Sequence, residues 1–368
     1  MRQPPIHERA FRVWAWARRT ETQWARPTKG AGAGRVMRDL GLWEYPSSAN
    51  TMKVMTTLTT RILIAATATT VAGLATGVIR AYRRDFMVAR NRLSAVQRHY
   101  ISTAFGTVEY AESGAGDPVL VSHGIFHGCD GALLSVRSIL RGYRIIAPSR
   151  FGYLGSGLAA SASPRDQADA FAALLDHLDV LQVDMVGISA GTTAAFEFAL
   201  RHPDRTKHLV VLSGSFPGGP MAVAPPVWAK LLYADLPLWV MKKAARAQFA
   251  RLLGVPAGFP KTPEQAQEMD EMVESIFPIG PRAAGAVFDA YVSNPAVNDL
   301  PIEKIAVPTI IVQAKDDPLC AFAPAEQAAH RIPGCVLIPQ ESGGHLGLGQ
   351  SAFTRAALDD FLKVPLTA

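Results

Sequence analysis

The stretch Gly187-Ile188-Ser189-Ala190-Gly191 decides the fold of this chain. It matches G-x-S-x-G, with an apolar run at 183–186 before it that predicts a strand and a segment at 192–201 after it that predicts a helix. In such a strand–turn–helix arrangement the serine occupies a sharp corner and its Oγ projects above the sheet. The glycines suit a turn where backbones approach too closely for a Cβ. We therefore predict that Ser189 is a nucleophile.

The segments around this corner indicate alternating strands and helices. Short apolar runs predict strands at 108–112, 119–121, 143–148, 183–187, 209–212, 309–312 and 335–338, and helical spacing of apolar residues predicts helices at 164–180 and 192–201. Buried strands that alternate with helices predict an α/β fold, with a mainly parallel sheet covered by helices on both faces. Residues 215–300, rich in apolar residues and proline, interrupt the alternation and predict a helical insertion over the carboxyl edge of the sheet.

A serine hydroxyl needs a base, and the base needs an acid that orients it. The segment Ser342-Gly343-Gly344-His345 follows the last predicted strand, and its glycines allow the loop to bring His345 towards Ser189. Asp316 and Asp317 both follow the preceding strand, so either could be the acid. The chain order of serine, acid and histidine is the one expected for a nucleophile on such a corner.

Five segments together resemble the α/β-hydrolase superfamily, over roughly residues 105–365. They are HG at 123–124, APSRFGYLGS at 147–156, GISAG at 187–191, QAKDDPL at 313–319 and GGHLGLG at 343–349. The resemblance implies a serine hydrolase whose nucleophile elbow carries Ser189. Ala314 stands where related enzymes often have a glycine three residues before the acid, which favours Asp317 over Asp316. The implied catalytic residues are Ser189, Asp317 and His345.

The resemblance also implies an oxyanion hole made of backbone N–H groups. Ala190, directly after the nucleophile, is one expected donor. Ile125, directly after His123-Gly124, is the other, with Phe126 as the alternative because this loop is bulkier than in many members of the superfamily.

These residues predict hydrolysis of an ester or related acyl bond of a small, apolar substrate through an acyl-enzyme. Haloalkane dehalogenases and epoxide hydrolases of similar layout use aspartate as nucleophile, so Ser189 argues against them. A carbon–carbon bond hydrolase and an acyltransferase use the same residues and remain alternatives, as do a non-catalytic binding protein and a membrane-associated scaffold. The chemistry requires neither metal nor organic cofactor.

By resemblance, the insertion at 215–300 is a cap or lid over the site. We expect several of its apolar side chains to line an acyl pocket, because small-molecule sites are mostly apolar. The candidate substrate-binding residues are Phe126, Phe216, Trp228 and Trp239. The alternative is that the aromatic residues of the insertion only pack it onto the sheet.

An uncharged stretch of 18 residues, 62–79, lies before the predicted domain. Its length is close to the roughly 20 residues that span a bilayer, so 58–80 is interpreted as a transmembrane signal anchor. A cleaved signal peptide and a buried helix are the alternatives. The arginines in the predicted basic linker, 81–104, favour a cytoplasmic catalytic domain by the positive-inside rule, whereas signal cleavage would imply export.

The remaining features concern the N-terminal residues, the bounds of the core, the cysteines and the expected partners. Residues 1–55 are basic and are interpreted as a disordered or mis-annotated extension, or an arginine-rich targeting peptide. The hydrolase core is predicted at 105–214 and 301–368. Three cysteines without a CxxC pair indicate a reducing compartment, although Cys320 and Cys335 could pair. No zinc-finger or RNA-binding signature accompanies the net charge of +6, so nucleic acid is not an expected partner. The oligomeric state stays open.

Overall fold

The computed structural model describes residues 48–260 and 262–363. Residues 76–363 contain an eight-stranded sheet of order β1-β2-β4-β3-β5-β6-β7-β8. The strands are β1 (His99–Thr103), β2 (Gly106–Ser113), β3 (Pro118–Ser122), β4 (Arg144–Pro148), β5 (Val183–Ile188), β6 (Thr206–Leu212), β7 (Thr309–Ala314) and β8 (Val336–Gln340). Only the β1–β2 and β2–β4 pairings are antiparallel. The predicted, mainly parallel α/β architecture is confirmed.

Eleven labelled helical segments accompany these strands in the described residues. They are α1 (Ser48–Ser94), α2 (Cys129–Val136), α3 (Pro164–His177), α4 (Thr192–Arg201), α5 (Asp235–Ala244), α6 (Arg246–Leu252), α7 (Pro263–Ser275), α8 (Ala283–Phe288), α9 (Asn294–Ala296), α10 (Phe322–Arg331) and α11 (Ser351–Phe361). A π-helical turn, Asp289–Ser293, joins α8 to α9. Five of these helices, α5 to α9, lie within the insertion between β6 and β7.

Both faces of the sheet are buried, which explains why the central strands are apolar without strict alternation. On one face Leu120 and Met185 pack in a cluster with residues of α3, α4 and α10. On the other face Val121 and Val186 pack with residues of α2 and α11. Because successive side chains of a strand point to opposite faces, each central strand supplies both layers.

A buried ion pair joins the sheet to the insertion. The guanidinium of Arg150, two residues after β4, donates two parallel hydrogen bonds to the carboxylate of Asp289 in the π turn. The Tyr153 hydroxyl donates to the same carboxylate. Burial alone lowers the pKa of Arg150, but the charge of Asp289 outweighs this and raises it. The insertion is therefore held to the core by a fully desolvated, hydrogen-bonded pair.

The predicted linker at 81–104 differs from the structure. Helix α1 continues to Ser94, and β1 follows within the same segment. The helix persists because Ala89 and Leu93 are buried against the domain, and β1 forms because it pairs along its whole length with β2. The helix and the strand both depend on tertiary contacts, and the basic composition of the segment gives no indication of those contacts.

The apolar stretch at 62–79 is helical, as predicted. An 18-residue window of α1 has a mean hydropathy of 1.9, and none of it is buried. Its threonines are satisfied locally: Thr67, Thr69 and Thr70 donate to the carbonyl oxygens four residues earlier, at 2.8–2.9 Å. This backbone partner lowers the cost of placing a hydroxyl in hydrocarbon. The proposed extension at 1–55 lies outside the described residues up to position 47.

We predict that Arg150→Ala lowers the free energy of unfolding by about 3–5 kcal/mol, because Asp289 is left buried without its partner. Urea unfolding of the full chain in detergent measures the change. The matched control is Arg144→Ala, which removes a partly exposed pair with Glu112 and is expected to cost about 1 kcal/mol or less. Equal losses in the two variants would contradict the role of the buried pair.

Candidate active site

Ser189 lies at the corner between β5 and α4 in a strained backbone conformation. Its φ is +51°, in the left-handed region that non-glycine residues rarely adopt. A single 3₁₀ turn, Ser189–Gly191, leads into α4. The predicted strand–turn–helix setting of the serine is therefore present.

Neighbouring backbone and side chains explain the two glycines of the motif. A Cβ on Gly191 would lie 2.2 Å from the carbonyl oxygen of Ser122, and one on Gly187 would lie 2.7 Å from Cβ of Ala195. No real Cβ tolerates such contacts, so the corner closes only with glycine at these positions. Ser122 adds a hydrogen bond from its Oγ to the carbonyl oxygen of Gly191 (2.9 Å).

Ser189, His345 and Asp317 form a continuous hydrogen-bonded series. The Ser189 hydroxyl lies 2.8 Å from His345 Nε2, and His345 Nδ1 lies 2.9 Å from Asp317 Oδ2. Because a carboxylate only accepts, the imidazole proton belongs on Nδ1, and Nε2 is free to accept the serine proton. The structure thus brings together the three residues that the sequence places in this order.

The carboxylate of Asp317 is held rigidly. Its Oδ1 accepts from the backbone N–H of Leu319 (2.8 Å) and of Cys320 (2.9 Å), and its Oδ2 accepts from Gln313 Nε2 (3.0 Å). The side chain is fully buried. These donors fix the oxygen that faces His345.

Asp316 has a different task. Its carboxylate accepts from the backbone N–H of Gly344 (2.9 Å) and of Gly343 (3.3 Å). His345 N–H donates to the carbonyl oxygen of Gly254 in the insertion (2.9 Å). Asp316 therefore positions the loop that carries His345, whereas Asp317 contacts the imidazole itself.

Opposing effects set the pKa of His345. Burial favours the neutral ring, whereas the neighbouring Cys320 and the carboxylate of Asp317 favour the imidazolium, and the net effect raises the pKa. Burial also raises the pKa of the Cys320 thiol, so this group is uncharged near neutral pH. Asp317 is then the charged partner that stabilises a protonated His345.

The segment after β3 lies directly against Ser189. A Cβ on Gly124 would be 3.3 Å from Cβ of Ser189, and both Ile125 and Phe126 line the same cavity as Ser189. Phe126 has a φ of +63°. Ala190 follows Ser189 within the corner and is fully buried. The residues expected to form an oxyanion hole therefore flank the serine on two sides.

Arg150 supports this segment, and the sequence did not single it out. Its backbone N–H donates to His123 Nε2 (3.0 Å), and its Nε–H donates to the carbonyl oxygen of His123 (2.9 Å). His123 Nδ1–H in turn donates to the carbonyl oxygen of Gly124 (2.8 Å). Burial and the nearby Arg150 charge lower the pKa of His123, so its ring stays neutral. In the sequence, this role is indicated only by the position of Arg150 within the segment 147–156 that resembles the superfamily.

An apolar cavity of about 160 Å³ opens above Ser189. Core residues and insertion residues both line it; among them are Ile125, Phe126, Leu252, Leu253, Met272 and Ile276. The lining is consistent with an apolar ligand. His127 also lines the cavity, and burial followed by the charge of Arg282 lowers its pKa to about 4.

Three of the four candidate substrate-binding residues do not line this cavity. Phe216 is buried against Phe196 below the site, at a ring-centroid distance of 6.1 Å. Trp239 is buried against Tyr82 of α1, and Trp228 is 64% exposed. The expectation was wrong for these three because the insertion buries its aromatic residues against α1 and the core or leaves them at the surface. Smaller aliphatic residues and methionines take their place at the cavity.

Among the described residues, Asp317, Cys320 and His345 each offer one donor atom within 4.8 Å of the others, a set that could hold a metal ion. Two of the three already share a hydrogen bond in the series with Ser189. A cation here would compete with the contact between His345 and Asp317.

The chain matches the α/β hydrolase fold family over residues 117–346 and belongs to that family. The uncharacterized hydrolase YcgS of Bacillus subtilis is 30% identical over 275 residues, which span 70% of this chain and 95% of that protein. The 2-hydroxymuconate semialdehyde hydrolase of Pseudomonas sp. is 35% identical over 114 residues, 29% of this chain and 40% of that one. An α/β hydrolase fold protein from Nakamurella multipartita superposes with a TM-score of 0.62 at 25% identity, over 72% of this chain and 99% of that chain.

We predict that the rate at which a fluorophosphonate labels the protein rises with pH, with its midpoint above the ordinary histidine value of about 6.5. The imidazolium cannot accept the serine proton, and the pKa of His345 is raised. Asp317→Asn removes the charge that stabilises the imidazolium. The midpoint should then fall, and the rate should drop by on the order of 10⁴, as in a serine protease that loses its triad acid.

The matched control is Asp316→Asn, since this neighbour bonds the loop backbone and not the imidazole. Its midpoint should stay where the unaltered chain has it, with a smaller loss of rate. A midpoint that moves only in the Asp316 variant would reverse the assignment of the two aspartates.

Proposed function

We propose that this protein is a serine hydrolase that cleaves an ester or related acyl bond of a small, apolar substrate through an acyl-enzyme. The observation that carries the proposal is the hydrogen-bonded series Ser189–His345–Asp317 at the floor of an apolar cavity. Membership of a hydrolase family supports it.

In the proposed reaction Ser189 Oγ attacks the carbonyl carbon as its proton passes to His345 Nε2. Asp317 keeps the imidazole in the required tautomer and stabilises the imidazolium. His345 then gives the proton to the leaving oxygen, and the ester bond breaks. Water, deprotonated by the same Nε2, releases the acid and restores Ser189.

The negative charge of the tetrahedral intermediate requires donors, and we propose the backbone N–H groups of Ala190 and Ile125. Ala190 immediately follows the nucleophile, and Ile125 follows Gly124, which lies against the Ser189 side chain. A donor of this kind contributes about 3 kcal/mol to the transition state. The network of Arg150 and His123 would fix the second donor by holding the carbonyl oxygens of His123 and Gly124, the two residues that precede Ile125.

The insertion serves, in this proposal, as a cap that completes the acyl pocket. Leu252, Leu253, Met272 and Ile276 come from α6 and α7 or their ends, and they face the same cavity as Ser189. The carbonyl oxygen of Gly254 also holds the backbone of His345. The insertion would therefore supply both the apolar wall and part of the support of the base.

A carbon–carbon bond hydrolase is the second candidate. Its support is the 35% identity to 2-hydroxymuconate semialdehyde hydrolase, over 114 residues. The two reactions differ in the bond that breaks, so the products distinguish them: an alcohol and an acid from an ester, and two carbon fragments from a ring-cleavage product.

We also propose that residues 62–79 anchor the protein in a membrane, with the catalytic domain in the cytoplasm. The support is the length, hydropathy and complete exposure of the apolar helix, and the arginines that follow it at 80–92.

For the chemistry, we predict that Ser189→Ala abolishes fluorophosphonate labelling and turnover of p-nitrophenyl esters, because no other group replaces the nucleophile. Ser213→Ala is the control. Ser213 lines the same cavity, but the hydrogen bond of His345 goes to Ser189. It should retain labelling. Full labelling of the Ser189 variant would eliminate the proposal, and turnover of ring-cleavage products without ester turnover would favour the second candidate.

For the anchor, we predict that the full chain stays in the membrane pellet after carbonate washing. Ile64→Arg with Val71→Arg should release it, because each central charge costs about 2.5–3.5 kcal/mol on insertion. Leu181→Arg with Val336→Arg, at exposed positions in the catalytic domain, should leave it in the pellet. Release of the unaltered chain would remove the anchor.

A further inference from the structure

The segment of α1 that follows the apolar stretch packs against the insertion. The rings of Tyr82 and Trp239 meet edge to face, with centroids 5.4 Å apart. Trp239 Nε1–H donates to Asp85 Oδ2 (3.1 Å), and Lys243 forms an ion pair with the same carboxylate (2.7 Å). Helix α5 is thereby fixed to α1 only three residues beyond Ile79, where the apolar stretch ends.

The contact continues along α1. Arg92 donates from Nη2 to the carbonyl oxygen of Phe277 (2.6 Å) and also to that of Glu274, at the end of α7. Ala89 is buried on the same side of the helix. About three turns of α1, from Tyr82 to Arg92, are therefore part of the catalytic domain. They set which surface of the insertion lies beside the end of the apolar stretch.

That surface exposes large apolar side chains. Leu236 is 52% exposed and Val240 is 45% exposed; being four residues apart on α5, they share one face of the helix. Val227 and Trp228, just before α5, are still more exposed. An exposed apolar pair on one helix face, with two more exposed apolar residues just before that helix, suits an interaction surface.

The same surface is basic. Residues 80–90 and 227–243 contain seven lysines and arginines and two acidic residues, Asp85 and Asp235. Asp85 is neutralised by Lys243, and Asp235 accepts from the backbone N–H of Ile279 and of Gly280. Lys230, Arg83 and Arg84 remain exposed at the surface. An apolar surface framed by cations fits the headgroup region of an anionic bilayer.

We propose that the surface formed by residues 80–90 and 227–243, termed here the docking face, lies on the anionic leaflet of the bilayer that residues 62–79 enter. The proposal rests on the anchor proposed above. Tyr82 lies about 4.5 Å along the helix axis from Ile79, so α5 cannot be far from the headgroups. Tyr82 and Trp228 provide the aromatic residues that are typical of a membrane interface.

A membrane explains this surface better than a protein partner. The chain itself leads from an apolar span into the docking face. The residues next to the span carry more positive than negative charge. In addition Leu252, which lines the cavity above Ser189, is itself 41% exposed. A residue that lines the cavity and is also exposed at the surface fits an acyl substrate that partitions into lipid.

The experiment places an environment-sensitive NBD fluorophore on the full chain in lipid nanodiscs. Leu236→Cys carries the label on the docking face. Leu181→Cys is the control, because Leu181 is 83% exposed and precedes β5, at the opposite edge of the sheet from the insertion. Both variants carry Cys335→Ser, since Cys335 is the native cysteine that is not buried.

In discs that contain phosphatidylglycerol we expect the label at position 236 to show a blue shift and to lose most of its emission to doxyl-labelled lipids, while the label at 181 keeps its emission. Discs of neutral phosphatidylcholine should quench position 236 less. Labels that respond alike, or a position 236 that stays in water in anionic discs, would overturn the proposal and assign the face to a protein partner.

The retention assay separates this result from failure of the anchor. A chain that stays in the discs but leaves position 236 in water contradicts the docking face alone. A chain that carbonate extracts from membranes contradicts the anchor and, with it, the docking face. Fluorophosphonate labelling of Ser189 is independent of both and tests the chemistry separately.

Discussion

The site depends on one backbone constraint, the left-handed conformation of Ser189. A non-glycine residue adopts it at a cost of about 1–3 kcal/mol, so the surroundings must enforce it. They do so through close contact: Gly187 lies against α4, and Gly191 lies against Ser122 at the end of β3. The position of the Ser189 hydroxyl is thus set by packing between neighbouring strands and a helix, and the imidazole of His345 has only to reach a fixed oxygen.

His345 is likewise held in place by contacts from other segments of the fold. Adjacent aspartates after β7 divide the work, one holding the imidazole and the other holding the backbone of the loop that carries it. The insertion contributes a carbonyl oxygen to the same loop. Two separate segments, the turn after β7 and the insertion, therefore fix His345, although the loop that carries it is rich in glycine.

The order of strands and helices and the positions of Ser189 and His345 were predictable because they follow from local patterns: apolar runs, turn glycines and chain order. The choice of Asp317 over Asp316 needed the register of one turn. The cavity lining was not predictable. The sequence around Trp228 and Trp239 looks the same whether these side chains face a ligand, α1 or water. Likewise α1 and β1 extend through 81–104 only because other segments pack on them.

The pair of Arg150 and Asp289 has a consequence for the modularity of the fold. Exchange of the segment between β6 and β7 is a direct way to build chimaeras of family members that differ in substrate. Here the exchanged segment would carry away the only carboxylate that the structure shows on the Arg150 guanidinium, and that guanidinium also orders His123 next to Ser189. The inserted segment must therefore supply a carboxylate at the position of Asp289 to pair with Arg150. A chimaera that lacks this carboxylate would lose stability whatever its substrate specificity.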